Sequence, residues 1–163
     1  MPSRTSRDLA AGLKKGQYDP AYYFHGAEDV LKEDAVRYIL DHALDAFTEV
    51  RVRNPGVLMI LVPRHPDRGD AIVTLMRERG MTTQQWSKDK SPPGADVDVL
   101  VADTIGELIF WYAVSDAVYL GGATSEGIGG HNPIEPAQLG KRVFTGPHGF
   151  NFRETFDALQ ETG

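Results

Sequence analysis

Short apolar runs along this chain alternate with segments of helical hydrophobic spacing. The continuous apolar run 57–62 is typical of a strand covered on both faces of a parallel sheet, and further strands are predicted at 97–102, 117–122 and 143–145. Apolar side chains three and four residues apart predict helices over 28–50, 68–79, 106–114, 133–139 and 151–161. A short aromatic-rich strand is predicted at 21–24, a frayed helix and a turn within the polar residues 1–20, and a polar loop at 88–95.

Strands separated by helices of this length favour right-handed β–α–β units. We therefore predict an α/β fold with a Rossmann-like parallel sheet and helices on both faces. The composition agrees, since 163 residues with 41% hydrophobic and 25% charged residues suit one globular domain.

Composition and charge also exclude several classes of protein. No apolar run approaches the ~18 residues that a transmembrane helix needs, and residues 1–20 contain no apolar core of a signal peptide. The absence of cysteine excludes disulfides and thiolate metal sites, and it fits a reducing cytoplasm. A net charge of −6 disfavours a nucleic-acid-binding domain, which needs a basic surface.

Polar and glycine-rich segments follow the predicted strands. They are PRHPDR (63–68), DTIGE (103–107), GGATSEGIGGHNPIEP (121–136) and GPH (146–148). In an open α/β sheet, ligands bind beyond the carboxyl ends of the strands. We therefore predict a binding site along this side of the sheet, which we call the carboxyl edge.

The longest of these segments has two interpretations that the sequence leaves open. Gly129 and Gly130 free the backbone to approach a ligand, and Asn132 and Pro133 predict a helix start that favours an anion. Glu135 could accept hydrogen bonds from the vicinal hydroxyls of a sugar. The alternative is a glycine-rich turn with a capping asparagine and an acid that complements the helix dipole.

Arg64 is a candidate ligand for phosphate or carboxylate, because a guanidinium binds such groups through two parallel hydrogen bonds. Its alternative is a surface ion pair with Asp67 or Asp70. Asp103 and Thr104 precede a predicted helix, and we expect them to cap it.

The histidines show no metal-ligand spacing, so we predict no protein-built metal site. His65, His131 and His148 lie in the carboxyl-edge segments, where binding or loop packing suits them better than metal ligation. The chain has no P-loop motif and no nucleophile elbow. Trp86 and Trp111 occupy apolar contexts and are expected in the core.

Four motifs resemble, in the same order, the C-terminal half of 3-deoxy-D-manno-octulosonic acid (Kdo) transferases. They are VPRHPDR (62–68), ADTIGEL (102–108), YLGGATSEGIGGHNPIEPAQLGK (119–141) and GPHGFNFRE (146–154), within a resemblance that covers residues 44–163. The resemblance implies one half of a GT-B glycosyltransferase, which needs no cofactor. That half would bind CMP-Kdo, and the whole enzyme would transfer Kdo to a lipid A precursor in lipopolysaccharide biosynthesis.

The resemblance also implies which residues contact CMP-Kdo. They are Pro63, Arg64, Ile105, Gly106, Glu107, Gly129, Gly130, Asn132, Pro133, Ile134 and Glu135. Ile105 departs from the methionine expected in many members of the family, and an apolar exchange of similar size should be tolerated.

Residues 1–43 instead resemble the start of the delta subunit of the bacterial DNA polymerase III clamp loader, on LKKGQYDPAYYFHGAEDVLKEDAVRYIL (13–40). We expect a chimera: a strand–turn–helix segment at 1–43 joined to a donor-binding domain at 44–163 that is truncated at its C-terminus. The family's N-terminal half is expected to supply the general base, the acceptor surface and the membrane contact. The chain alone is therefore expected to be soluble, cytoplasmic and inactive, whereas the parent enzyme would act at the cytoplasmic face of the inner membrane.

Two alternatives remain. The chain could be a clamp-loader interaction module, or it could belong to another GT-B transferase that uses a different nucleotide sugar. Binding to a sliding clamp would favour the first alternative, and binding of UDP as strongly as CMP would favour the second.

Overall fold

The computed structural model describes residues 4–5, 21–25, 33–123 and 129–161. The described strands form one seven-stranded sheet of order β1-β7-β6-β2-β3-β5-β4. Their bounds are β1 Arg4–Thr5, β2 Ala21–His25, β3 Leu58–Val62, β4 Thr83–Gln85, β5 Val99–Val101, β6 Ala117–Leu120 and β7 Arg142–Thr145. Every pairing is parallel, so the carboxyl ends of all these strands lie on one edge.

Five helices accompany the sheet within the described ranges. They are α1 Glu33–Arg53, α2 Gly69–Glu78, α3 Leu108–Val114, α4 Ile134–Gln138 and α5 Arg153–Glu161, with 3-10 turns at Pro66–Arg68 and Phe150–Phe152. Helix α1 is longer than α3 and α4 together. No helix in the described part of the chain has the length and apolar composition needed to cross a bilayer.

Two hydrophobic cores lie on opposite faces of the sheet, because successive side chains of a strand point to opposite sides. Met59 and Leu61 of β3 join the core beneath α1 and α2, which contribute side chains such as Phe47. Ile60 and Val62 join the second core, beneath α3. The predicted α/β fold with helices on both faces is therefore confirmed.

The strand order places a topological switch point between β2 and β6. Strands β3, β5 and β4 lie on one side of β2, whereas β6, β7 and β1 lie on the other. Open α/β sheets bind ligands beyond the carboxyl ends of the strands at such a point. The order therefore centres the predicted site on the carboxyl edge around β2 and β6, with the loops after β3 and β5 on the same edge.

The predicted strands and helices are found with shifts of a few residues at their ends, and two regions differ. Strand β4 was not predicted, because its sequence TQQ is polar and its place depends on pairing with β5. Arg4–Thr5 form a strand that pairs with the edge of β7, so the frayed helix is wrong at these positions. The other residues of 1–20, and residues 28–32 of the predicted first helix, lie outside the described ranges.

Candidate functional site

The strand register brings the loops after β3 and β6 to the same level of the carboxyl edge. Val62 is aligned with His25 of β2, and His25 with Leu120 of β6. Directly after the end of β3 come Pro63, which is buried, and Arg64, which is exposed. The polar segment predicted at this position therefore begins at the carboxyl edge, one strand away from the switch point.

Arg64 acts electrostatically on His131, which follows the glycine pair of the long loop after β6. Burial lowers the pKa of His131 below its usual range, and the positive charge of Arg64 lowers it further. The strand register places these two residues, 67 positions apart in sequence, on the same carboxyl edge, as the strand-end argument predicted. A guanidinium and an imidazole on one edge offer an anion a full positive charge and an additional hydrogen-bonding group.

The loops after β6 and β7 pack closely at Gly129 and Gly130. Both residues have a φ of +86°, which favours glycine. A Cβ on Gly129 would lie 2.6 Å from Cγ of Asn151, and one on Gly130 would lie 3.2 Å from Cα of Gly149. The backbone N–H of Gly130 donates to the carbonyl of Gly122 at 3.1 Å. These glycines therefore have a structural role in loop packing, whether or not a ligand also approaches them.

Asn132, the predicted cap, lies one residue before Pro133, which is the N-cap of α4 and makes no side-chain cap hydrogen bond. The side-chain oxygen of Asn132 accepts a hydrogen bond from the backbone N–H of Ile134 at 3.0 Å. The helix begins at Ile134, one residue after the expected Pro133, and has five residues. Glu135 lies exposed in its first turn and is accessible to a ligand, so both interpretations of this segment remain compatible with its geometry.

The turn after β5 differs from its prediction at Asp103. Its buried carboxylate accepts hydrogen bonds from Nε2 of Gln85 at 2.7 Å and from the backbone N–H and Oγ of Ser87 at 2.9 and 2.8 Å. Asp103 therefore does not cap α3, whose first turn follows Glu107 without a side-chain cap. The reason is that residues distant in sequence offer this carboxylate three donors, and Thr104 donates to Glu107 instead.

Glu107 lies in the predicted turn, but its carboxylate is engaged by protein donors. Nε1 of Trp86 donates to it at 2.8 Å, Nζ of Lys90 at 3.0 Å, and Oγ1 of Thr104 also donates. The hydrogen bond from Thr104, followed by that from Lys90, lowers the pKa of Glu107. The turn therefore presents Ile105, whose side chain is 85% exposed, and the backbone of Gly106 at the edge.

The sequence analysis did not identify the segment whose side chains donate hydrogen bonds to Asp103 and Glu107. Gln85 and Ser87 were assigned no role, and Trp86 was expected in the core. Trp111 is indeed buried, whereas Trp86 is half-buried and packs edge-on against it with ring centroids 5.0 Å apart. The indole N–H of Trp86 was the signal in the sequence that could have indicated this contact, since a partly buried tryptophan needs a hydrogen-bond acceptor.

Two other features of the described residues do not add to the site. No group of three or more His, Asp or Glu side chains in the described ranges could hold a metal ion. A polar groove of about 540 Å³ runs beside β4 and α2, but none of its lining residues was predicted to bind a ligand. Within that groove Lys88 and Asp70 form an exposed ion pair at 2.5 Å.

Comparisons with known proteins agree on one family, although no family model matches the chain. A 3-deoxy-D-manno-octulosonic acid transferase of Bordetella pertussis is 38% identical over 112 residues, which are 69% of this chain and 26% of that protein. The transferase of Haemophilus influenzae is 37% identical over 107 residues, or 66% of this chain and 25% of that protein. The chain thus spans about a quarter of the length of these curated relatives.

A solved structure matches the fold over nearly the whole chain. It is the crystal structure of the C-terminal CMP-Kdo binding domain of WaaA from Acinetobacter baumannii, with a TM-score of 0.66 and 25% sequence identity, covering 96% of this chain and 83% of that one. These matches give no support to a clamp-loader subunit, and the resemblance of residues 1–43 to one stays a prediction. By sequence and by fold, this chain is related to the C-terminal half of the 3-deoxy-D-manno-octulosonic acid transferases.

Proposed function

We propose that this chain is the CMP-Kdo-binding part of a glycosyltransferase that transfers Kdo to a lipid A precursor in lipopolysaccharide biosynthesis. The observation that carries the proposal is that the loops after β3 and β6, with Arg64 and Glu135 exposed, share the carboxyl edge beside the switch point of the sheet. The likeness to a solved CMP-Kdo binding domain supports it and indicates the class of ligand.

In this proposal the carboxyl edge binds the CMP moiety. Arg64 forms two parallel hydrogen bonds with the phosphate, since its guanidinium is exposed above a buried proline. Glu135, exposed in the first turn of α4, accepts hydrogen bonds from the ribose hydroxyls. Ile105 provides an exposed apolar side chain beside the nucleotide, and the backbone of Gly106 lies next to it.

The same residues would assist departure of the leaving group. As the bond between Kdo and the phosphate oxygen breaks, negative charge accumulates on CMP. A preorganised cation at the phosphate stabilises that charge more strongly in the transition state than in the ground state. Attack by the acceptor hydroxyl requires a general base, and we assign that base, the acceptor surface and the membrane contact to the other half of the transferase. The parent enzyme would act at the cytoplasmic face of the inner membrane.

Calorimetric titration of the purified chain with CMP, with UDP as the competing nucleotide, tests this proposal. We expect CMP to bind more tightly than UDP, and Arg64→Ala and Glu135→Ala each to weaken binding by about tenfold to a hundredfold, the value of a hydrogen bond to a charged group. Glu78→Ala is the matched control, because Glu78 is exposed at the opposite end of α2. Equal binding of UDP would favour a different nucleotide-sugar transferase, and a folded chain that binds neither nucleotide would contradict the proposal.

A further inference from the structure

Both ends of the turn Asp103–Glu107 are attached to one neighbouring segment. At its start, Asp103 accepts hydrogen bonds from Nε2 of Gln85 at 2.7 Å and from Oγ of Ser87 at 2.8 Å. At its end, Glu107 accepts hydrogen bonds from Nε1 of Trp86 at 2.8 Å and from Nζ of Lys90 at 3.0 Å. We call residues 85–90, which supply all four of these donors, the anchor segment.

The anchor segment is itself held in place by aromatic packing. Nζ of Lys90 lies 5.4 Å from the ring centroid of Trp86, within the range of a cation–π contact. The Trp86 ring meets Trp111 of α3 at 5.0 Å in an edge-on arrangement, and Trp111 is 3% exposed. The donors that hold Glu107 are therefore fixed relative to the core beneath α3.

The tip of the turn has few contacts of its own. Ile105 is 85% exposed, and a Cβ added to Gly106 would meet nothing within 4 Å. Gly106 also has a φ of +86°. Because so little touches the tip, the position of its backbone depends on the two anchored ends.

We propose that the anchor segment is a positioning element of the donor site, and that Glu107 supports nucleotide binding through Trp86 and Lys90 without touching the nucleotide. This inference rests on the proposed function, because it concerns the same site. It differs from a direct role for the Glu107 carboxylate, which was the simplest expectation from the family resemblance. Trp86, Lys90 and Glu107 are thus positioning residues.

A double-mutant cycle on CMP affinity tests whether Trp86 and Glu107 act on nucleotide binding through their shared contact. The variants are Trp86→Phe, which keeps an aromatic ring and removes the N–H donor, Glu107→Ala, and the two combined. We expect each single change to weaken CMP binding by about threefold to tenfold, the value of a hydrogen bond. The double variant should bind no more weakly than the weaker-binding single variant, since both remove the same contact. Effects that multiply, or single variants that bind as the wild type does, would overturn the inference.

A spectroscopic signature reports the contact itself. The chain has two tryptophans, and their indole N–H groups differ: that of Trp86 donates to a carboxylate, whereas that of Trp111 is buried without an acceptor among the described residues. Two separate indole signals are expected in a ¹H–¹⁵N spectrum, of which Trp86→Phe removes one. Glu107→Ala should shift that signal, and Glu107→Gln, which keeps an acceptor oxygen, should leave it closer to the wild-type position and retain more affinity. An indole spectrum unchanged in Glu107→Ala would overturn the inference.

Two lysines of the anchor segment provide a matched comparison. Lys90→Met removes a donor to Glu107, whereas Lys88→Met removes an ion pair with Asp70 and no contact to the turn. We expect weaker CMP binding only in Lys90→Met, and equal effects would overturn the inference. Failure of the proposed function is distinguishable, because a folded wild-type chain that does not bind CMP contradicts both proposals. A wild type that binds CMP, with Glu107→Ala unaffected, contradicts the positioning role alone.

Discussion

Substitution of Gly69 by alanine separates helix propensity from tertiary contact. Gly69 is the first residue of α2 and has a φ of −52° and a ψ of −47°, which alanine adopts without strain. Propensity alone predicts that alanine stabilises a helix by up to about 1 kcal/mol relative to glycine. A Cβ at this position, however, would lie 2.8 Å from Cβ and 2.9 Å from Cγ of Asp103, and closer still to its Oδ2.

Asp103 has little room to move away from that methyl group. It is 5% exposed, and its carboxylate is held by three hydrogen bonds from Gln85 and Ser87. Overpacking of a core position costs about 1–3 kcal/mol, and loss of one buried hydrogen bond to a charged group costs about 1.5–3 kcal/mol. After the gain in propensity, Gly69→Ala should lower the free energy of unfolding by about 1.5–5 kcal/mol.

Urea denaturation followed by circular dichroism measures this effect. Gly80→Ala is the control, because Gly80 has a φ of +75° and no atom within 4 Å of its added Cβ, so it should lose only the ~1–2 kcal/mol of left-handed strain. In an Asp103→Gly background both the carboxylate and the Cβ that crowd this position are absent, and Gly69→Ala should then cause no further loss of stability. A Gly69→Ala variant as stable as the wild type, or more stable, would refute the reasoning.

Two further predictions concern stability. Because the pKa of His131 lies below its usual value of 6.5, the unfolded chain takes up the proton first, and the free energy of unfolding should fall as the pH drops below about 6.5. Urea midpoints measured between pH 7.5 and 5 should fall more steeply for the wild type than for His131→Gln, and parallel pH dependences would contradict this. Phe47→Ala should cost about 3–5 kcal/mol, since Phe47 is 1% exposed. Val52→Ala, at a side chain 78% exposed on the same helix, should change stability little, and similar losses in both variants would count against this core.

Strands buried on both faces were predictable because their composition reflects burial itself. All four residues of β6 are buried, and the run 57–62 is apolar throughout, so neither pattern depends on knowing the partner strand. Strand β4 lacks such a pattern: its polar residues Thr83–Gln85 extend because they pair with β5, and Gln85 reaches Asp103. A long-range contact also explains why Asp103 does not cap α3 as its position in the sequence suggested. Its hydrogen-bond partner Ser87 lies 16 positions away.

The candidate site was predictable in position and only partly in detail. The rule that ligands bind at strand ends predicted that Arg64 and the long glycine-rich loop share one edge, and the strand register places them there. The direction of the Glu107 side chain was not predictable, because it depends on Trp86 and Lys90 across the turn. The local sequence pattern indicated which loops lie at the carboxyl edge. Which side-chain atoms those loops expose there depends on hydrogen-bond donors that are distant in sequence.

The most direct test of CMP binding at the carboxyl edge is a ¹H–¹⁵N chemical-shift map of the chain titrated with CMP. We predict that the largest changes fall on three stretches that the structure brings to this edge: Arg64 and its neighbours, the turn Ile105–Glu107, and the start of α4 around Glu135. The Trp86 indole signal should move with the turn. A folded chain whose spectrum does not change with CMP, or whose changes are confined to the groove beside β4, would contradict a donor site at this edge.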